Sequence, residues 1–283
     1  MPTTMTSQHE TRSVIQGVEI FLSLPDFFDF TWVGQKDILD QLLAAWSTID
    51  HKDLPMNPRI VGKPGVGKTT LAYAAAKKLQ KDVYLYQCTM DTRPEDLLIV
   101  PVVSGVSTIR YVASPLVSAM IKGGVCILDE ANRMSEKAWA SLAPLLDARR
   151  YIESIVTGLK IVAHPHFLIA ATMNEDGSTF ETPEYIQSRL QPQIFLDFPE
   201  KDEEMRILRE SLPFVDEDIL AYVVAFLQNA HQHHEPYTIR DGINIARFAA
   251  KRVQILNSKA HSEAILRQAV VMILGDEAMP YVP

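Results

Sequence analysis

Between Ile60 and about Phe198, short runs that are apolar throughout alternate with stretches of helical period. Ile60-Val61 forms a β-like run, followed by a helix over Thr69 to Leu79 (TTLAYAAAKKL). VYLY at 83–86 is strand-like, and PEDLL at 94–98 starts a short helix. PLVSAMIK at 115–122 is helical and stops at Gly123-Gly124, a C-terminal signal. VCILD at 125–129 is a buried strand, and a helix spans 135–147 with Ser135 as its cap. FLIAAT at 167–172 and QIFLDF at 193–198 are further strands. Strands that are apolar at every position belong in a parallel sheet covered on both faces. Strand–helix alternation implies right-handed crossovers and a three-layer α/β domain.

Two stretches break this plan. VVSGVSTIRYVAS at 102–114 and RRYIESIVTGLKIVAHP at 149–165 have the pattern of β-hairpins, with Gly105 and Gly158 near their turns. After Pro199 no strand-like run returns. KDEEMRILRESL, DILAYVVAFLQNA, DGINIARFAAKRVQIL and SEAILRQAVVMIL all have helical period. The expected organisation is a loose tail over 1–17, an α/β nucleotide-binding domain over 18–199 with two hairpin inserts, and an all-α lid over 200–283.

Composition narrows the classes. The chain has 283 residues, enough for one large α/β domain and a satellite. No apolar run approaches the roughly 18 residues of a membrane span. The polar start MPTTMTSQHETRS lacks the apolar core of a signal peptide. Cys88 and Cys126 lie inside apolar stretches, which points to two buried thiols and a reducing cytoplasm. The net charge of −8 and the absence of a basic stripe argue against a nucleic-acid partner. The pairs Lys77-Lys78, Arg149-Arg150 and Lys251-Arg252 fit solvated helix edges. There is no internal repeat.

The stretch IVGKPGVGKTTL, residues 60–71, carries three glycines between a strand and a helix. It fits G-x-x-x-x-G-K-[ST] with Gly62, Gly67, Lys68 and Thr69, in the strand–loop–helix context that the motif requires. Glycines let consecutive N–H groups turn inward, and the following helix adds its positive end. The candidate nucleotide-contacting segment is Gly62, Lys63, Pro64, Gly65, Val66, Gly67, Lys68, Thr69 and Thr70. Lys68 would reach the β- and γ-phosphates, and the Thr69 hydroxyl would ligate Mg2+.

The strand in GGVCILDEANRM ends in Asp129-Glu130. A carboxylate at a strand tip can hold Mg2+, which makes Asp129 the second metal candidate. Glu130 can polarise a water for in-line attack on the γ-phosphate. GTPases of the Ras type use Gln for that task, so the acidic pair points to a water-activating ATPase. A small-molecule kinase is the other reaction class it admits. ATMN at 171–174 closes the next strand and puts Asn174 at the sheet tip, where an amide can hold the attacking water. Thr238 and Asp241 form a capping pattern that sets Arg240 in the first turn of a helix, free to reach a phosphate.

In this order the motifs resemble those of AAA+ ATPases, and within them the MoxR group. GKPGVGKT is similar to Walker A. CILDEANR is similar to Walker B, close to the DEINR pattern of MoxR proteins. Asn174 resembles sensor 1. LAPLLDARRYIE is similar to the helix and basic turn that follow Walker B in MoxR and CbbQ/NorQ proteins, and FETPEYIQSRL resembles a segment ending in an acidic-to-Arg stretch. The hairpins resemble the helix-2 and pre-sensor 1 inserts. The likeness covers about residues 30 to 275. It implies an AAA+ P-loop core with a helical lid, and ATP with Mg2+ as ligands. TWVGQKDIL at 31–39 would place Val33 and Gly34 near adenine. Arg189 matches the arginine finger acting in trans, with Arg149 and Arg150 as rivals, and Arg240 matches sensor 2. A ring, most often a hexamer, a protein client and a partner with a von Willebrand A domain follow from the likeness alone. One departure is Lys63, which stands where the loop pattern usually has its second proline.

Three function classes follow: a ring-forming remodelling ATPase, a nucleic-acid motor or clamp loader, and a slow assembly module that binds ATP as glue. The run HQHHE at 231–235 trails a helix and is read as a solvated helix end, not a metal site. His164 and His166 flank Pro165 in a loop and are read as structural.

Overall fold

The computed structural model describes residues 11–29, 32–104, 108–175, 181–256 and 263–283. The sequence suggests one cut near Pro199, but the compact units interleave. One unit comprises the chain up to Phe28, Gln41–Ile60 and Ala72–Ile194. The other comprises Asp29–Asp40, Val61–Leu71 and Phe195–Pro283.

The strands in chain order are β1 (Arg12–Ile15), β2 (Val18–Phe21), β3 (Arg59–Gly62), β4 (Val83–Gln87), β5 (Ile99–Ser104), β6 (Thr108–Ala113), β7 (Val125–Asp129), β8 (Tyr151–Ser154), β9 (Leu159–Val162), β10 (Leu168–Asn174) and β11 (Gln193–Phe195). The helices are α1 (Lys36–Trp46), α2 (Lys68–Lys78), α3 (Pro115–Lys122), α4 (Glu136–Leu142), α5 (Glu184–Gln187), α6 (Lys201–Ser211), α7 (Glu217–Gln232), α8 (Ile239–Leu256) and α9 (Glu263–Leu274).

A five-stranded sheet has the order β11-β3-β10-β7-β4. β10, β7 and β4 run parallel: Leu168 faces Val125 and Ala171 faces Leu128, while Val83 faces Val125 and Gln87 faces Asp129. Val125 to Leu128 and all of β10 are buried, as uniformly apolar strands in a covered sheet must be. α3 starts where Ser114 Oγ accepts from the Val117 N–H at 3.1 Å. It stops at Gly123, whose φ of 75° is left-handed. The Trp46 indole N–H donates to the Ile169 carbonyl at 3.0 Å, tying α1 to β10.

Both expected hairpins are present. β5 pairs antiparallel with β6, and β8 with β9. Gly158 turns the second hairpin with φ +68°, while Gly105 lies outside the described residues. The first hairpin begins at Ile99, earlier than its sequence pattern suggests. It joins a second sheet, β1-β2-β6-β5.

That sheet corrects the reading of 1–17 as a tail, since Arg12–Ile15 pair with Val18–Phe21. Residues 1–10 lie outside the described residues. A four-residue strand of exposed and half-buried positions carries too little period to be seen in sequence. The helix expected over 135–147 ends at Leu142, because Pro144 lacks the N–H needed to continue it. QIFLDF keeps strand geometry only to Phe195.

In the second unit α6–α9 enclose their own core, centred on Leu208, Ile219, Val223, Phe226, Leu227, Ile245 and Val270. Their apolar stripes at helical spacing account for it.

Candidate active site

The phosphate-loop half lies in the second unit. β3 delivers the chain to Gly62, where a Cβ would collide with the Leu196 carbonyl. Gly65 and Gly67 have φ of +78° and +101°, conformations costly for any residue with a Cβ. At Gly65 a Cβ would also sit 2.7 Å from Thr238 Oγ1. Lys68 is buried, and its ammonium donates to the Gly62 and Lys63 carbonyls at 2.9 and 2.7 Å. Lys68 and Thr69 open α2, so the segment ends in a helix N-terminus suited to an anion.

Val33 and Gly34 are half-buried. Between them and the loop lies Trp32, which sequence reasoning did not single out. Its ring fills the space that a Cβ at Gly34 would need, and lies 3.4 Å from the corresponding point at Gly67. The capping reciprocity at α8 is present: Asp241 Oδ2 accepts from the Thr238 N–H at 2.8 Å, and Thr238 Oγ1 accepts from the Asp241 N–H at 3.4 Å. Arg240 is exposed in the first turn of α8.

The acidic half lies in the first unit. Asp129 ends β7. The hydroxyl of Thr172 on β10 donates to Asp129 Oδ1 at 2.6 Å, and its oxygen accepts the Glu130 N–H at 3.0 Å. Glu130 has φ +52°, a left-handed conformation for a non-glycine residue, here held by both of its neighbours. Asn174 Nδ2 donates to Glu130 Oε1 at 3.3 Å. Arg133 Nε lies 2.7 Å from Glu130 Oε2 as an ion pair, without the alignment of a hydrogen bond. Asn132 Nδ2 donates to the Asn174 carbonyl at 2.8 Å, and Asn132 Oδ1 accepts the Asn174 N–H.

Asn174 is therefore held from below and aimed at Glu130. Thr172, not Asn174, is the side chain bonded to Asp129. Thr172, Asn132 and Arg133 were missed in sequence. No local signal marks the first: only the pairing of Ala171 with Leu128 in the folded sheet sets Thr172 opposite Asp129.

Behind the acidic pair, the Cys88 and Cys126 thiols are free and buried, and burial raises both far above the usual thiol range. They are inert fillers at physiological pH.

The three candidate finger arginines differ. Arg150 is committed inward, with Nη2 donating to the Phe167 carbonyl at 2.7 Å. Arg149 forks onto Asp147, Nε to Oδ1 at 2.9 Å and Nη2 to Oδ2 at 2.7 Å. Arg189 follows α5, donates through Nη1 to the Tyr185 carbonyl, and stands 3.5 Å from Asp147 Oδ2. Hydrogen bonds from Arg149 hold the Asp147 carboxyl down to about 2.

Residues 59–190 match a sequence model of the AAA domain, dynein-related subfamily. The fold is that of AAA+ P-loop NTPases. Thermotoga maritima RuvB, a Holliday junction branch migration motor, superposes with a TM-score of 0.59 at 14% identity, covering 87% of this chain and 72% of that one. A second RuvB chain, a point mutant, gives 0.61 at 16% identity, over 88% and 72%. An uncharacterized protein of Staphylococcus epidermidis is 27% identical over 178 residues, 61% of this chain and 67% of its own length. Another from Staphylococcus aureus is 28% identical over 179 residues, 62% and 68% of the two lengths.

The AAA+ core presents donors of the right chemistry for its ligands. Gly62 and Gly65 let the loop pack against the Leu196 carbonyl and Thr238, where a Cβ would collide. The Asp129 carboxylate at the end of β7 is an oxygen donor of the hard type that Mg2+ takes. No helix among the described residues is long and apolar enough to cross a membrane.

Proposed function

We propose that this chain is an ATP-hydrolysing AAA+ remodelling ATPase of MoxR type, working as a ring on a protein client or a von Willebrand A-domain partner. The observation that carries the hydrolytic part is the Glu130 carboxylate, oriented by Asn174 and by the backbone lock at Thr172.

In this reading the loop amides of residues 65–69 bind the phosphates and the Lys68 ammonium bonds the β- and γ-oxygens. Trp32, Val33 and Gly34 form the base side of the pocket. Mg2+, when bound through Thr69 and Asp129, neutralises charge on the β- and γ-phosphates. Glu130 orients the attacking water and accepts its proton, and Asn174 fixes the carboxylate and the water. Arg189 acts in trans on the nucleotide of a neighbouring copy, so turnover needs assembly. Arg240 contacts the phosphates from the lid. The ring, the client and the von Willebrand A-domain partner rest on the resemblance of DEANR and of the two inserts to MoxR proteins.

Replacing Glu130 by Gln tests the reading. The variant should keep ATP and lose turnover by about 100-fold or more, and turnover of the unchanged protein should rise steeply with its concentration. A Glu130→Gln protein that hydrolyses ATP normally overturns the assignment.

A second reading, a nucleic-acid-associated motor, takes its support from the likeness to RuvB. The net charge of −8 weighs against it. Stimulation of hydrolysis by DNA, and loss of that stimulation in salt, would favour it.

A further inference from the structure

The run HQHHE is not simply a solvated helix end. His231 is largely buried, and its ring stacks on Phe198 with centroids 3.9 Å apart and planes within 11°. The ammonium of Lys63, the residue in the unusual loop position, lies over the same Phe198 ring at 4.5 Å. His231 Nε2 is 2.7 Å from the Tyr237 carbonyl, which can only accept, so Nε2 carries a proton. His231 Nδ1 faces Glu204 Oε1 at 3.6 Å. Glu204 is fully buried on α6, and its other oxygen accepts from Gln228 Nε2 at 2.8 Å.

With Nε2 protonated, a neutral His231 turns a lone pair on Nδ1 toward a buried carboxyl oxygen. Two lone pairs facing each other there would repel, and Oε1 has no hydrogen-bond partner in this structure. One proton shared between Glu204 and His231 resolves this. Burial pushes the Glu204 carboxyl up to about 7 and lowers His231, in keeping with a proton that sits mostly on the acid. The other charged groups facing the pair are Lys63 from the loop and Asp197 from the chain after β11.

We propose that Lys63, Phe198, His231 and Glu204 form a column that anchors the phosphate loop, with Phe198 and His231 as positioning residues that fix Lys63, and with the proton shared by Glu204 and His231 keeping the column assembled. A cation–π anchor supplies the rigidity that a proline would otherwise give this loop position. This rests on the reading of the loop as a nucleotide cradle. Above neutral pH the shared proton leaves, His231 loses its tie to Glu204, and the anchor loosens.

The test is binding of the fluorescent nucleotide mant-ADP, with Mg2+, to the full chain. Phe198→Leu and His231→Ala should each raise Kd about fivefold at about pH 6. His231→Phe keeps the stack and should restore affinity without pH dependence. Glu204→Gln can donate from its amide to Nδ1. It should bind like the unchanged protein at about pH 6 and stay tight at about pH 8.5, where the unchanged protein weakens.

If Lys68→Ala loses binding while Phe198→Leu keeps the original Kd, the column is refuted and the cradle stands. If Lys68→Ala binds undiminished, the cradle fails and the column with it. Should His231→Ala not fold, the pH slopes of His231→Phe and Glu204→Gln decide, and slopes equal to that of the unchanged protein overturn the proposal.

Discussion

The phosphate loop and the acidic cluster at the end of β7 are built by opposite means. The loop is backbone: glycine conformations, carbonyls that receive the Lys68 ammonium, and a helix start. The cluster is side chain: Thr172 on Asp129, Asn174 on Glu130, Asn132 beneath Asn174. A backbone cradle is spoiled by an added carbon, and a side-chain network by a missing polar atom. Holding a nucleotide and cutting it should therefore fail separately.

The largest effects should divide along that line. Lys68→Ala removes the cation from the loop, and titration with labelled ATP should find binding reduced by about 100-fold or more. Glu130→Gln should leave the same titration unchanged while single-turnover hydrolysis collapses. If both variants lose binding together, the two regions are one energetic unit and the contrast is void.

Next comes Thr172→Val, equal in shape and lacking the hydroxyl. It removes the bond to Asp129 and the acceptor for the Glu130 N–H, the latter holding a strained backbone. Turnover should fall about tenfold or more, from roughly 1.5–3 kcal/mol per charged hydrogen bond, with ATP affinity little changed. Equal kcat in the variant would show that Asn174 and Arg133 suffice to hold Glu130.

What was legible in the sequence follows the same division. A backbone cradle announces itself, since only glycine tolerates +78° at Gly65 and +101° at Gly67 at no steric cost, and Lys and Thr follow at fixed offsets. β7 and β10 were likewise legible, because burial on both faces leaves uniformly apolar runs, and the two hairpins showed through short β-like runs flanking a turn. Thr172 was hidden, because its role depends on which strand lies beside β7, and strand order is not local information. His231 was misread because a helix end looks solvated until a partner arrives, here Phe198, from a distant segment. β1 and β2 were invisible for want of length. The interleaved units were beyond a reading that follows the chain in one direction.

Gly65→Ala probes the cradle more gently. The new Cβ meets Thr238, and φ +78° disfavours any side chain, so the loop must shift at a cost of about 1–2 kcal/mol. Nucleotide affinity should drop by about tenfold, while hydrolysis of whatever is bound keeps its rate. A lower rate constant with unchanged affinity would reverse the assignment of tasks to the two regions.

The smallest effect concerns Asp147, which gathers Arg149 and Arg189. Its folded-state value near 2 lies below the usual 3.8, through hydrogen bonds from Arg149 above all. A carboxylate depressed in this way adds stability that is fully present above about pH 4 and lost as pH falls through about 2. Arg149 is exposed, so salt should shrink the contribution. Urea midpoints measured at about pH 4 and about pH 2 should therefore differ slightly less in Asp147→Asn than in the unchanged protein, and the gap should close in high salt. The same variant releases Arg189 from its ion pair. If Arg189 acts on a neighbouring copy, turnover at saturating protein should change by less than about threefold, because a finger swings free to work. A loss as large as that of Arg189→Ala would instead make Asp147 the residue that aims the finger.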